Sequence, residues 1–395
     1  MPSILDHNPF LRVTVVNFFF CLSPNGFLLL PLRIQDLGGT EIEIGLVMGL
    51  YSGVGILCQP VIGPWIDVLG RRPFMVAGVA LIFASTLLAV AARGIPALAV
   101  VRALQGLGFS AFFVAAFSYV LDLVPPGRRG WALGIYGVSG LLSTAIAPLL
   151  GEWVIRSLGF RALFFLTAVF AAVAGVLVWP VREAHRPESA PVRGGEWARG
   201  GLAEVVQQHM AVTLFFGLGS GTIFAFVPTF AEALGVPTLS LFYTAFAVAA
   251  MGVRIAGGRL IDTRGRRAVI IPSMLVQAAA TALLAGLGAL LGRATQAPAL
   301  PVLFVAGLLL GGSHGFLYPG LAALVTDRTP DARRAAAIGI FSAVFLVGQT
   351  AGAFLFGYVT HALGYGATWA ALTALLLVGG LVSLRLEGPA AGAHA

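Results

Sequence analysis

Twelve uninterrupted apolar runs, each about twenty residues or more in length, set the terms on which this chain can fold. They lie near residues 10–33, 43–66, 73–92, 96–121, 130–153, 160–181, 207–230, 239–261, 268–291, 299–326, 335–361 and 366–386. A helix of about twenty residues crosses the hydrocarbon core of a bilayer. Lipid offers backbone N–H and C=O groups no partner other than the helix itself. Strands of a membrane barrel would be about half as long and would alternate polar with apolar side chains, which these runs do not. The pattern predicts an all-α integral membrane protein with twelve transmembrane helices.

Of the 395 residues, 58% are hydrophobic and 10% charged. Soluble domains carry roughly 25% charged residues, so this chain cannot cover a water-facing surface. The one long polar stretch, Arg182 to Glu204, falls midway. It divides the chain into an expected six-helix bundle over 1–181, a linker over 182–206 and a second six-helix bundle over 207–395. The N-terminus "MPSILDHNPFLR" has no basic leader region, so the first span is expected to be retained. Cys21 and Cys58 sit inside apolar runs and give neither a zinc spacing nor a disulfide framework.

All 24 basic residues are arginine. Sixteen fall on the face shared by the termini and the linker, five fall opposite, and Arg102, Arg254 and Arg259 lie in or at the edge of spans. Positive charge favours the cytoplasmic side, so both termini are expected there. The net charge of +8 marks topology and does not imply a nucleic-acid partner. Multi-pass insertion in a bacterial inner or plasma membrane is the expected setting, with the lipid bilayer as the main partner.

The stretch "GPWIDVLGRRP" interrupts the apolar pattern with Gly63, Asp67, Gly70, Arg71 and Arg72. These residues recur at a constant offset of 195 as Gly258, Asp262, Gly265, Arg266 and Arg267. Independently, Asp122, Arg128, Arg129 and Gly134 recur at an offset of 205 as Asp327, Arg333, Arg334 and Gly339. Two constellations repeating in order predict two homologous halves.

On these residues the chain resembles the major facilitator superfamily over essentially its whole length. The first stretch matches the family's loop between helices 2 and 3, Gly-x-x-x-Asp-Arg/Lys-x-Gly-Arg-Arg/Lys, departing at Val68 and again at Thr263. Arg102, Gln105 and Gly106 match Arg-x-x-Gln-Gly of helix 4, a signature of proton-coupled members. The Gly-rich signature of helix 5 in the antiporter branch is blurred, reading Gly134, Ser143, Ala147, Pro148, Gly151 and Glu152. The resemblance implies the fold of that superfamily, in two pseudo-symmetric six-helix bundles, and favours its twelve-helix, proton-coupled drug and metabolite exporters. It also implies that Arg71 pairs with Asp122.

Physically, the repeated loop reads as a latch. Gly70 permits a tight turn, and Asp67 can accept from orphan N–H groups at the start of a helix in the other half. Gly63, Gly258, Asp262, Gly265 and Arg266 complete the set. Arg71 and Arg72 also suit a plain role as topology anchors. Arg102 is the leading candidate for coupling or substrate binding, because an arginine inside a span is costly unless it faces a cavity or the bundle interior; snorkelling is the alternative. Gln105, Arg254, His314 and Tyr318 join it, His314 as a group that titrates near neutral pH. Asn17, Asn25, Tyr51, Gln59, Tyr119 and Gln349 are further polar groups for a cavity, or for helix contacts.

No Walker loop, HExxH motif or Cys/His metal cluster is present, so neither an enzyme nor an ATP-driven pump is expected. The expectation is a monomeric secondary transporter that takes a small-molecule substrate, uses no cofactor or metal, and couples export of an amphiphilic compound to protons. An importer or uniporter of a polar or anionic metabolite is the alternative, favoured by the lack of an acid at mid-span. A non-transporting membrane receptor is the alternative of a different class.

Overall fold

The computed structural model describes residues 8–125, 128–183, 208–291, 299–327 and 334–386. These fold as helices joined by short turns, with no strand among the described residues. The first half contains α1 (Pro9–Asp36), α2 (Glu41–Leu69), α3 (Arg71–Ala91), α4 (Ile95–Asp122), α5 (Arg129–Leu158) and α6 (Phe160–Val178). The second contains α7 (Gln208–Ala233), α8 (Ser240–Arg264), α9 (Arg267–Ala289) and α10 (Ala299–Asp327), followed by the run Arg334–Leu384. Gly364 breaks that run at φ 78°, giving α11 over 334–363 and α12 over 365–384.

Local chemistry sets the ends. Asn8 caps α1, its side chain accepting from Leu11 N at 3.1 Å, with Pro9 in the first turn. Thr40 and Glu43 form a reciprocal capping box that starts α2. That box is why α2 begins at Glu41, before the apolar run near 43. Pro24 inside α1 precedes a 3-10 turn over Phe27–Leu29, the local adjustment expected after a lost helix hydrogen bond.

The chain divides into two compact units, Met1–Val192 and Arg193–Ala395. The expected linker over 182–206 lies outside the described residues except for Arg182 and Glu183. Within the first unit, α1 packs on α5 and α6, α2 on α4, and α3 on α4 and α6. The second unit repeats this six helices on. There α8 packs on α10, α9 on α10 and the α11–α12 run, and α7 on the α11–α12 run. The hydroxyl of Thr373 donates to that of Thr281 at 2.9 Å, joining α12 to α9.

Backbone conformation repeats as well. The positive-φ glycines among the described residues form three pairs, each at equivalent turns: Gly38 with Gly235, Gly70 with Gly265, and Gly159 with Gly364. Such a turn reverses the chain within a residue or two, which a Cβ would oppose.

Apolar side chains cover the outside. Leu57, Val176, Ile255 and Leu363 are exposed, as lipid-facing positions should be. Trp65, Trp131, Trp153 and Trp179 are exposed near helix ends, where indole rings settle at the membrane–water boundary.

Candidate functional site

Two equivalent turns carry the polar clusters. Gly70, at φ 93°, ends α2, and α3 starts at once with Arg71. The Nε of Arg71 donates to Asp122 Oδ2 at 3.2 Å and its Nη1 to the carbonyl of Ile66 at 3.1 Å. Arg72 Nη2 donates to the carbonyl of Trp179 at 2.9 Å, with its guanidinium over the Trp179 ring. In the second half Gly265 has φ 83°, Arg266 Nε donates to Asp327 Oδ2 at 3.0 Å, and Arg267 Nη2 donates to the carbonyl of Leu384 at 2.7 Å. Each cluster ties the start of one helix to the ends of two others. Gly258 lies within α8, and its surroundings and the side chains of Asp67 and Asp262 are outside what the structure describes.

Glu183 belongs to the first cluster and was not foreseen from sequence. Its Oε1 accepts from Arg71 N and its Oε2 from Arg72 N, each at 3.0 Å. Gly70 has no side chain to cap α3, so a carboxylate from beyond α6 meets two orphan N–H groups at the helix's positive end. Tyr119 donates its hydroxyl to the carbonyl of Arg182 at 3.0 Å, and Arg12 Nη1 donates to that of Pro180 at 3.3 Å. Tyr119 thus holds the segment after α6 and stands apart from the mid-span polar groups. A Cβ on Gly63 would meet nothing within 4 Å among the described residues.

Arg102, buried on α4, is the centre of a second constellation. Its Nη1 donates to Gln105 Oε1 at 2.9 Å, and its guanidinium carbon lies 4.2 Å from the centre of the Tyr51 ring on α2. Gly106 lets the helices cross there, because a Cβ would strike the carbonyl of Tyr51. Arg102 Nε and Gln105 Nε2 have no hydrogen-bond partner among the described residues.

Tyr51 leads into an aromatic row that recurs in the second half. Phe109 lies 6.1 Å from Phe20, 5.4 Å from Tyr51 and 5.4 Å from Phe113, ring centre to ring centre. His314 lies 5.1 Å from Phe216, 5.3 Å from Phe246 and 6.4 Å from Tyr318. These are the same positions at offsets of 195, 196 and 205, spanning α1, α2 and α4 in one half and α7, α8 and α10 in the other. Gly311 meets the carbonyl of Phe246 as Gly106 meets that of Tyr51. Phe20, Phe109, Phe113 and Phe246 were not singled out from sequence, although the loop offsets of 195 and 205 relate Phe246 to Tyr51, Phe109 to His314 and Phe113 to Tyr318.

The arginines break the symmetry. Arg102 is matched by Gly307, and Arg254 by Gln59, both half-buried. Arg254 lies within electrostatic reach of His314 and Tyr318, and Tyr318 within hydrogen-bonding reach of Ser342. Arg254 Nε lacks a partner among the described residues. Arg254, His314 and Tyr318 are thus brought together.

Other polar candidates serve helix contacts. Asn17 Nδ2 donates to Ser139 Oγ at 2.8 Å and to the carbonyl of Tyr136 at 3.3 Å, and Asn25 Nδ2 donates to Ser143 Oγ at 2.7 Å and Thr144 Oγ1 at 3.1 Å. Both fasten α1 to α5, the helix-contact role open to an intramembrane polar side chain. Ser143 and Ala147 are buried and Pro148 lies within α5. A Cβ on Gly151 would press on Leu29 and Leu163 at 3.0 and 3.1 Å. A Cβ on Gly134 would meet nothing within 4 Å among the described residues. The equivalent seam of the second half is glycine-built: Gly217 on α7 meets Gly348 and the backbone of Gln349 on α11, Gly221 meets the backbone of Gln349, and Gly352 meets the backbone of Leu218.

The family description "Major Facilitator Superfamily" matches this sequence over residues 13–288 and 209–394. A staphylopine export protein of Staphylococcus aureus is 24% identical over 371 residues, 90% of each chain. A chloramphenicol resistance protein of Pseudomonas aeruginosa is 32% identical over 269 residues, 65% of this chain and 62% of that one. The solved structure of the nucleoside transporter NupG (D323A mutant) superposes with a TM-score of 0.78 at 14% identity, covering 95% of this chain and 99% of that one.

Proposed function

Because the chain belongs to the Major Facilitator Superfamily, and is accordingly a multi-pass membrane transporter and no enzyme, we propose that it exports a small amphiphilic compound by alternating access, in exchange for protons. The observation that carries this reading is the duplicated ion pair, Arg71 with Asp122 and Arg266 with Asp327, at equivalent turns of two like bundles. Rocking of two such bundles needs a bias of about a few kcal/mol between access states, and each pair holds the loop of its own bundle in shape for that movement. The direction rests on relatives whose names denote export and drug resistance. Both termini are assigned to the cytoplasm by the arginine count, and the working unit is taken as a monomer.

In this reading His314, with Tyr318 on the next turn, carries the proton. The test is substrate-evoked proton movement in proteoliposomes loaded with a pH dye, scanned over lipophilic cations, sugars, amino acids and organic anions. A proton flux evoked by one class supports exchange. Substrate movement without a proton signal overturns the coupling and favours a uniporter of a polar or anionic metabolite, a second reading supported by the lack of any mid-span carboxylate.

A further inference from the structure

The polar cluster on α4 is built from donors. Arg102 is 5% exposed and carries a permanent positive charge, yet no ion pair reaches it among the described residues. Its sole side-chain hydrogen bond among those residues uses the oxygen of Gln105, so the Gln105 amide nitrogen is left over beside the guanidinium. Arg102 Nε and Gln105 Nε2 are both buried and unsatisfied. A buried donor without a partner costs about 1–3 kcal/mol, and a buried cation without a counter-charge costs more. The Tyr51 ring face offsets a fraction of the charge through its quadrupole and supplies no acceptor oxygen to either donor.

What satisfies such a cluster is an acceptor with negative charge. A packing role alone would favour a neutral side chain, since no carboxylate among the described residues compensates the arginine. Water could satisfy the hydrogen bonds but not the charge. Two donors on neighbouring turns of one helix suit the two oxygens of a carboxylate. Beside them lie Tyr51 and Phe109, both half-buried, their rings tilted at 48° with centres 5.4 Å apart, which offer an apolar wall next to the arginine.

We propose that Arg102 Nε and Gln105 Nε2 bind the carboxylate of the transported compound while Tyr51 and Phe109 hold its apolar body, so that the substrate is a small amphiphilic organic anion. This rests on the transporter reading and names the substrate class of that same protein.

The deciding experiment separates the two. Equilibrium dialysis of the purified full-length protein uses radiolabelled 2-naphthoate and hexanoate, their uncharged twins 2-naphthamide and hexanamide, and tetraphenylphosphonium. At least one carboxylate is expected to bind saturably and its amide at least about tenfold more weakly, the worth of one charge-assisted contact. Arg102→Gln should cost that carboxylate about tenfold or more and its amide less, and Arg102→Lys should recover part of the loss. Size-exclusion chromatography identifies a variant that has not folded, and Gln105→Leu then serves in its place. Carboxylate and amide binding alike, exclusive binding of the cation, no carboxylate binding at all, or unchanged carboxylate binding in folded Arg102→Gln each overturns the inference. Flux of the same probes from proteoliposomes decides the transporter reading independently: cation export retained by Arg102→Gln would keep the exporter and discard the anion site.

Discussion

His314 occupies in the second bundle the place that Phe109 occupies in the first, its ring 5.1 Å from Phe216 and 5.3 Å from Phe246 where Phe109 is 6.1 Å from Phe20 and 5.4 Å from Tyr51. One aromatic framework accepts either ring. The imidazole therefore adds a titratable group to a position whose packing a phenyl group already fills elsewhere in the same chain.

His314→Phe is accordingly a substitution that the fold has already tried. We expect a melting temperature within a few degrees of the parent, with substrate-evoked proton movement reduced to background and substrate exchange across the membrane retained. Undiminished proton movement in the proteoliposome assay would remove His314 from the coupling path.

The two ion pairs differ in exposure. The side chains of Arg71 and Asp122 are 12% and 27% accessible, against 24% and 53% for Arg266 and Asp327. Such pairs contribute about 0–1 kcal/mol each to stability, so Asp122→Asn and Asp327→Asn should barely shift thermal unfolding. Transport should fall in both, and further for Asp122→Asn. Equal rates in variant and parent vesicles would show that the pairs are topology anchors only.

Loss of the carboxylate of Glu183 should act on stability. It satisfies two N–H groups at the start of α3, and losing such a cap costs about 0.5–2 kcal/mol. Glu183→Ala should lower the unfolding midpoint measurably, and Glu183→Gln less, because an amide oxygen still accepts one bond. An unchanged midpoint for Glu183→Ala would mean that water replaces the cap.

Glycines should separate by backbone conformation and space. Gly159→Ala and Gly364→Ala place a Cβ at φ 82° and 78° and should each destabilise by about 1–2 kcal/mol. Gly106→Ala drives a methyl group into the carbonyl of Tyr51 and should cost as much or more. Gly63→Ala and Gly134→Ala enter open space and should be neutral in thermal unfolding. Loss of stability in the last two would place an unseen contact there.

Much of this architecture was legible because lipid permits so few solutions. Runs such as Phe160–Val178 can only be helices, and the arginine loops exposed the duplication before any coordinates. Gly159 and Gly364 were also within reach, since Ser-Leu-Gly-Phe-Arg-Ala and Ala-Leu-Gly-Tyr-Gly-Ala share their spacing and offset. Asn17, Asn25 and Tyr119 were not separable from true cavity groups, because an intramembrane polar side chain looks the same in sequence whether it joins two helices or faces a ligand. Glu183 was hidden for another reason: its partners are backbone N–H groups more than a hundred residues earlier, and backbone donors leave no mark in composition.

The sequence by itself determined the twelve spans, the two like halves and the membership of a transporter family, because hydrophobic length and repeated spacing are local properties of the chain. Only the tertiary structure decided that Arg102 has Gln105 and Tyr51 but no acid beside it among the described residues, that His314 shares the surroundings of Phe109, and that Glu183 caps α3. Those facts depend on which faces of helices distant in sequence are pressed together, and periodicity along one helix leaves that choice open.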